Sequence, residues 1–243
     1  RHTCAISQDG DLYCWGGNRF GQVDPTSDET SFPNPTLVSP EERFVSVAAG
    51  DTHSCAISTR GELFCWGTGE QGQLGLGNLE RAETLKKVST SRFLRLDAGP
   101  THTCAISFEN QLYCWGDDLD GKLGNSAASS TNTPVEIGAK DDENKAVRFA
   151  SVAVGEVTTC AVPVEVDSNA PSALYCWGRG DLFANGLGNA MTSPPTPMDA
   201  DHPQLVSWRE NSMGGGEAIR GVAVALHHGC ALRGTKIYCW GSG

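Results

Sequence analysis

The sequence predicts an all-β chain built as a β-propeller, from five recognisable repeats of about 50 residues. Three observations carry this. A short cysteine-bearing hairpin recurs five times along the chain. Each copy places apolar side chains on both faces of its two strands, so it must be stacked between neighbours. The segments between copies hold a glycine-rich turn and a further strand, which makes several strands per repeat and points to propeller blades and not to a helical solenoid.

The hairpin unit occupies residues 2–16 (HTCAISQDGDLYCWG), 53–67, 102–116, 158–178 and 228–241 of a single domain over residues 1–243. A catalytic constellation normally appears once, so this recurrence is architecture. The 243 residues are 39% hydrophobic and 19% charged, enough to bury a sizeable core, and 29 Gly with 12 Pro imply many turns. No apolar run approaches the ~20 residues that a membrane helix needs. The start, Arg1-His2-Thr3, has neither Met nor a signal pattern, so the sequence reads as a mature or excised piece. A net charge of −11 disfavours phosphate backbones, so no nucleic-acid partner is expected.

Within the first copy, Thr3–Ser7 and Leu12–Trp15 read as strands around Gln8-Asp9-Gly10. Gly10 and Gly61 supply the left-handed residue of a three-residue loop, and Asn110 takes that place in the third copy. If Ser7 and Asp11 close the loop as a hydrogen-bonded pair, Ile6 faces Leu12, Ala5 faces Tyr13 and Cys4 faces Cys14. The cysteines then meet at a non-hydrogen-bonded position, within disulfide reach. The last copy shortens its loop to Gly234-Thr235, closed by Arg233 and Lys236, and the same count pairs Cys230 with Cys239. The fourth copy lengthens the hairpin through Pro163–Ala173 and keeps even parity.

All ten cysteines are thereby assigned as five local disulfides: Cys4–Cys14, Cys55–Cys65, Cys104–Cys114, Cys160–Cys176 and Cys230–Cys239. Each closed loop is worth roughly 2–3 kcal/mol in the chain-entropy model. The alternative, buried free thiols in a reducing compartment, does not account for paired register in every copy. The expected location is therefore oxidising: secreted, periplasmic or cell-surface. His53, Cys55 and Cys65 share a face and suggest zinc, but a fourth ligand is missing and Thr158 replaces the histidine in the fourth copy. A hydrogen-bonding or packing histidine suits the position better, and no metal or other cofactor is expected.

Strand alternation puts Cys4, Ile6, Leu12 and Cys14 on one face and Thr3, Ala5, Tyr13 and Trp15 on the other. The aromatic face of one unit is expected to cover the cysteine face of the next, burying Trp15, Trp66, Trp115, Trp177 and Trp240 between blades; sugar binding is the competing reading of such a ladder. Between hairpins come the turns GNRFGQV, GEQGQLGLGN, DDLDGKLGN and GDLFANGLGN, then the strands FVSVAAG, FLRLDAG and FASVAVG.

The order AAG-x-x-H-[ST]-C-A-I…G-x-L-[YF]-C-W-G…G-Q-L-G-L-G, best matched over residues 44–78, resembles the repeat of the regulator of chromosome condensation family. The resemblance implies a β-propeller, usually of seven blades, and its cysteine pair is similar to secreted bacterial members and to the ectodomains of plant crinkly-type receptor kinases. The founding member's nucleotide-exchange activity does not transfer by fold. Five hairpins joined by four connectors imply either a five-unit ring that closes imperfectly or part of a larger ring of up to seven blades.

Catalysis finds little support, since no nucleophile elbow, phosphate loop or metal-protease motif appears. Asp117, Asp118 and Asp120 hint at calcium but lack the later Glu of a calcium loop, and they read as a solvated acidic turn. The expected function is a non-catalytic, extracytoplasmic protein–protein interaction module that binds through inter-strand loops. The repeats diverge at Ser126–Arg148, Pro163–Ala173 and Met191–Arg220. The candidate binding residues are Trp208, Arg209, Arg19, Phe20 and Phe183; Trp208 also suits packing within the strand QLVSW. The alternative is a structural subunit of a surface appendage or multi-subunit complex. An enzyme inhibitor and a receptor ectodomain are further candidates.

Overall fold

The cysteine-bearing hairpins form in the expected register. The structure, a computed structural model, describes residues 1–127, 129–140, 144–164, 173–179, 200–206, 218–226 and 228–241. Contacts divide the chain into two compact units: Arg1–Phe108 with Tyr113–Asp117 and Ser130–Val135, and Glu109–Leu112 with Asp118–Ser129 and Glu136–Gly243.

The first unit holds a sheet of β1 (His2–Ile6), β2 (Leu12–Gly17) and β3 (Ser31–Leu37), and a sheet of β4 (Phe44–Ala49), β5 (His53–Ser58), β6 (Leu63–Gly67) and β7 (Ala82–Lys87), each in sequence order. A third sheet, β8 (Phe93–Ala98), β9 (His102–Ser107), β10 (Leu112–Gly116) and β11 (Thr131–Ile137), contributes residues to both units. The second unit adds β12 (Phe149–Val154), β13 (Thr158–Pro163), β14 (Tyr175–Gly178) and β15 (Ala200–Leu205), then β16 (Ile219–Val224), β17 (His228–Arg233) and β18 (Lys236–Gly241). Among the described residues the only helical element is a single 3-10 turn, Leu119–Gly121.

Turn chemistry sets the register. Ser7 N–H donates to Asp11 O at 2.9 Å, and Gly10, Gly61 and Asn110 adopt φ of 85°, 80° and 59°. Cys4 therefore faces Cys14, and the fourth and fifth hairpins pair Cys160 with Cys176 and Cys230 with Cys239. All five predicted disulfides are present with Cα atoms 4.1 Å apart, and no cysteine is free. Gly16, Gly67 and Gly178 of the CWG stretches sit at register shifts against the outer strands: Gly67 has φ 99°, and a Cβ there would lie 2.6 Å from Thr52 O.

The outer strands β3, β7, β11 and β15 carry what only a sheet edge tolerates. Proline has no N–H for a second neighbour, and Pro33, Pro35, Pro134 and Pro203 all lie in them, while β7 carries Lys86 and Lys87. Consecutive repeats are joined by one recurrent seam. The hairpin-tip carbonyls of Gly10, Gly61 and Asn110 accept from Phe44, Phe93 and Phe149 N–H, each at 2.8 Å. Those phenylalanines are buried and meet Phe64, Tyr113 and Tyr175 edge-on at 5.9–6.3 Å.

Every residue of β5 and β9 is buried, as expected for strands apolar on both faces. Trp66, Trp115 and Trp177 are fully buried, whereas Trp15 and Trp240 are only half-buried. The difference lies in cover: Thr3 and Ala5, on the same face as Trp15, are exposed, so the first hairpin keeps that face in solvent.

Two outcomes follow from this packing. The intact mass of the unreduced chain will be ten hydrogens below that of the reduced chain, and free thiols in the folded protein would contradict the pairing. Trp115→Ala will lower unfolding free energy by about 3–5 kcal/mol in urea titration, because it empties a fully buried site.

Candidate interaction surface at the glycine-rich turns

After each of the first three CWG stretches the chain reverses in a glycine-rich turn whose shape is set by side-chain-to-backbone bonds. Asn18 Oδ1 accepts from Val23 and Asp24 N–H at 3.0 and 2.9 Å, while its Nδ2 donates to Asp24 O and Glu29 O. Asp118 fills the same place in the third turn, its Oδ1 accepting from Leu123 N–H at 2.8 Å. The acidic trio is thus not a solvated turn throughout: Asp118 is buried as an organiser, while Asp117 and Asp120 are half-buried. Gln22 and Gln73 tighten the first two turns, accepting at Oε1 from Phe20 and Gln71 N–H, each at 2.9 Å.

The tips of these turns differ. The first presents Arg19 and Phe20, both exposed; the second, Glu70 and Gln71; the third, Leu119 at 65% exposure. Of the other sequence-predicted binding residues, Trp208, Arg209 and Phe183 lie outside the described residues, as do most of the loops in 163–173 and 191–220.

Beneath each tip sits one doubly bonded carbonyl. Gln22 O accepts from Trp66 Nε1–H at 3.0 Å and from Ser54 Oγ–H at 2.7 Å. Gln73 O accepts from Trp115 and Thr103, and Lys122 O from Trp177 and Thr159, at 2.8–3.0 Å. The donors come from the next hairpin, where they face one another across the strands, Ser54 opposite Trp66 and Thr159 opposite Trp177, one residue from the disulfide. Period-two alternation sends the sulfurs to one face and this donor pair to the other. In the last hairpin Gly229 replaces the hydroxyl, and a Cβ there would lie 2.4 Å from Trp240 Cζ2, so the indole covers that place.

A histidine completes each of the first two networks. His2 Nε2 lies 2.6 Å from Ser54 Oγ, and His53 Nε2 2.8 Å from Thr103 Oγ1. The carbonyl can only accept, so the single hydroxyl proton points at it and the imidazole must donate. Both rings are therefore neutral with the proton on Nε2, leaving a buried Nδ1 without a partner among the described residues. Burial, then the nearby His2, holds the His53 pKa down at about 3. Burial, the N-terminal ammonium and, in opposition, Asp51 set His2 at about 4. The pairs look like hydrolase dyads, but their polarity is reversed: Nε2 has no lone pair to take the hydroxyl proton. This confirms the hydrogen-bonding reading of the histidine. The sequence reading missed its hydroxyl partner, although the recurring H-[ST]-C was the available signal.

The first unit also holds a cleft of about 380 Å³ between Leu76, Val88, Ser89, Phe93, Tyr113 and Pro134, with no charged side chain in its lining.

Comparison with known proteins then places the chain. The model of the regulator of chromosome condensation (RCC1) repeat matches residues 9–57, 60–106 and 109–162, more than half of the sequence. The chain belongs to this repeat family. The ultraviolet-B receptor UVR8 of Arabidopsis thaliana is 40% identical over 78 residues, 32% of this chain and 18% of the receptor. Human WBSCR16 superposes over 99% of the chain with a TM-score of 0.78 at 18% identity. Yeast RCC1 (Prp20), in its crystal structure bound to Kap60, does so over 99% with 0.74 at 21%. The chain spans 59% and 54% of those two proteins. The fold is the RCC1-type β-propeller.

The buried histidines make stability pH-dependent. An unfolded histidine titrates near 6.5, above the folded value, so the unfolded chain takes up the proton first and stability falls as pH drops below about 6.5. His53 contributes a slope approaching 1.4 kcal/mol per pH unit down to about pH 3. Urea midpoints between pH 7 and 4.5 will show a shallower decline in His53→Gln than in the parent; parallel curves would contradict the buried neutral ring.

Proposed function

We propose that the chain is an extracytoplasmic, disulfide-stapled protein–protein interaction module that works without catalysis and offers its turn tips and inter-strand loops to a protein partner. The observation that carries this reading is the contrast within each turn. An identical buried carbonyl clamp lies beneath tips as different as Arg19–Phe20, Glu70–Gln71 and Leu119. A rigid frame under divergent exposed side chains is the arrangement that recognition surfaces use.

The five disulfides support an oxidising compartment. Among the described residues no helix is long and apolar enough to cross a membrane. Yeast RCC1 (Prp20), which has this fold, was solved with Kap60 bound to it, and a net charge of −11 argues against nucleic acid here.

The test compares a tip with the frame. Phe20→Ser will leave the melting temperature within about 1 °C, since Phe20 is 37% exposed, yet weaken capture of native partners by roughly thirtyfold, ~2 kcal/mol. Unchanged capture would remove the first turn from the binding surface.

A further inference from the structure

The first turn is not completed by its own residues alone. Arg81, just before β7, reaches back across the repeat boundary and lays its guanidinium on the main chain of the turn. A Cβ built on Gly21 would lie 2.8 Å from Arg81 Nη2 and 3.2 Å from its Nε, with Pro25 Cα at 3.1 Å on the other side. The absence of a side chain at residue 21 is what admits the arginine. Its charge thus lies against the residue that follows Phe20, while Arg19 precedes it. Arg81 is exposed, as are Arg19 and Phe20 just before Gly21, so two cationic residues and one aromatic residue border the same turn of the first unit.

Neither guanidinium is neutralised by a carboxylate of the described residues. Carboxylates of the described residues pair elsewhere: Asp11 with Arg43, Glu42 and Glu62 with Arg60, Glu62 with Lys87, Glu136 with Arg148, Asp120 with Arg179. Asp24, on the same turn, is engaged by Thr26, whose N–H and Oγ1–H both donate to its Oδ1 at 2.9 and 2.7 Å. In a chain with 29 acidic and 18 basic residues, two arginines without an ion-pair partner among the described residues border one exposed aromatic ring. Among the described residues the second turn lacks this feature: its tip carries Glu70 and Gln71, and Ser130 stands before β11 where Arg81 stands before β7.

We propose that Arg19, Phe20 and Arg81 form one binding site for an acidic peptide segment of a protein partner, in which a carboxylate lies beside an apolar side chain. This rests on the interaction-module reading and gives it a partner chemistry. A guanidinium fork matches a carboxylate with two parallel hydrogen bonds. Arg81 is already laid on the main chain and the turn is pinned at Gln22 O, so little freedom is lost on binding. Phe20 supplies the apolar contact. The overall negative charge repels an acidic segment everywhere else, which confines it to this place.

The test uses a fluorescein-labelled probe peptide, Glu-Asp-Leu-Asp-Glu, with the oxidised chain. Binding is expected to weaken as salt rises from 50 to 500 mM, about tenfold in Arg81→Gln and in Arg19→Gln, with parental melting temperatures. Phe20→Ser should weaken the leucine probe and leave a serine-substituted probe unchanged. Equal affinity for a lysine-rich probe, or unaltered binding in Arg81→Gln, overturns the assignment. Tighter binding of inorganic polyphosphate, indifferent to Phe20, also overturns it in favour of a phosphate-polymer site. If the acidic probe fails while Phe20→Ser still loses native partners, the charge assignment falls and the interaction surface stands.

Discussion

A backbone carbonyl with both lone pairs occupied from the next hairpin is the contact on which this structure depends. Gln22 O, Gln73 O and Lys122 O each take one N–H from a tryptophan and one O–H from Ser54, Thr103 or Thr159. Buried acceptors left unsatisfied cost about 1–3 kcal/mol, so each clamp fixes the turn to its neighbour as well as filling space. The indole adds a large area of apolar burial to the same joint. Tryptophan thus supplies a donor and a large buried area from one side chain.

The disulfide makes the clamp dependable. It fixes the hairpin one residue away from the donor pair, at a position where strand alternation directs sulfur and indole to opposite faces. A register slip of one residue would send Trp66 to the wrong face and break the clamp outright. The covalent bond and the hydrogen-bonded joint thus report the same register, and in the first two networks the hydroxyl, its proton committed to the carbonyl, accepts a further hydrogen bond from a neutral histidine. The frame then needs nothing of the tips, which is why Phe20, Gln71 and Leu119 can differ above it.

Much of this was legible in the sequence. Hairpin pairing follows from parity and loop length, and both are read directly from Cys4–Cys14 and from the shortened Gly234-Thr235 loop. The histidine was correctly taken as a hydrogen-bonding residue. The carbonyl clamp was not legible, because a backbone acceptor has no residue signature: Lys122 offers the same carbonyl as Gln22 and Gln73. Outer strands such as SFPNPTL escaped notice because edge position permits prolines that strand patterns normally exclude. Asp118 looked like a solvated acid because burial is a property of the turn and not of the residue type. At the candidate site, Arg19 and Phe20 were readable from one turn, whereas Arg81 joins them only once neighbouring repeats are stacked.

The central claim is that the next hairpin holds each turn through one carbonyl. It is tested most directly by amide hydrogen exchange in the double variant Ser54→Ala/Trp66→Phe, which removes both donors to Gln22 O while keeping most of the packed volume. Amides of residues 18–23 should lose protection by more than about tenfold, while those of β1 and β2 keep theirs. Unchanged protection of residues 18–23 would show that the turn holds its shape without the clamp, and would contradict the account.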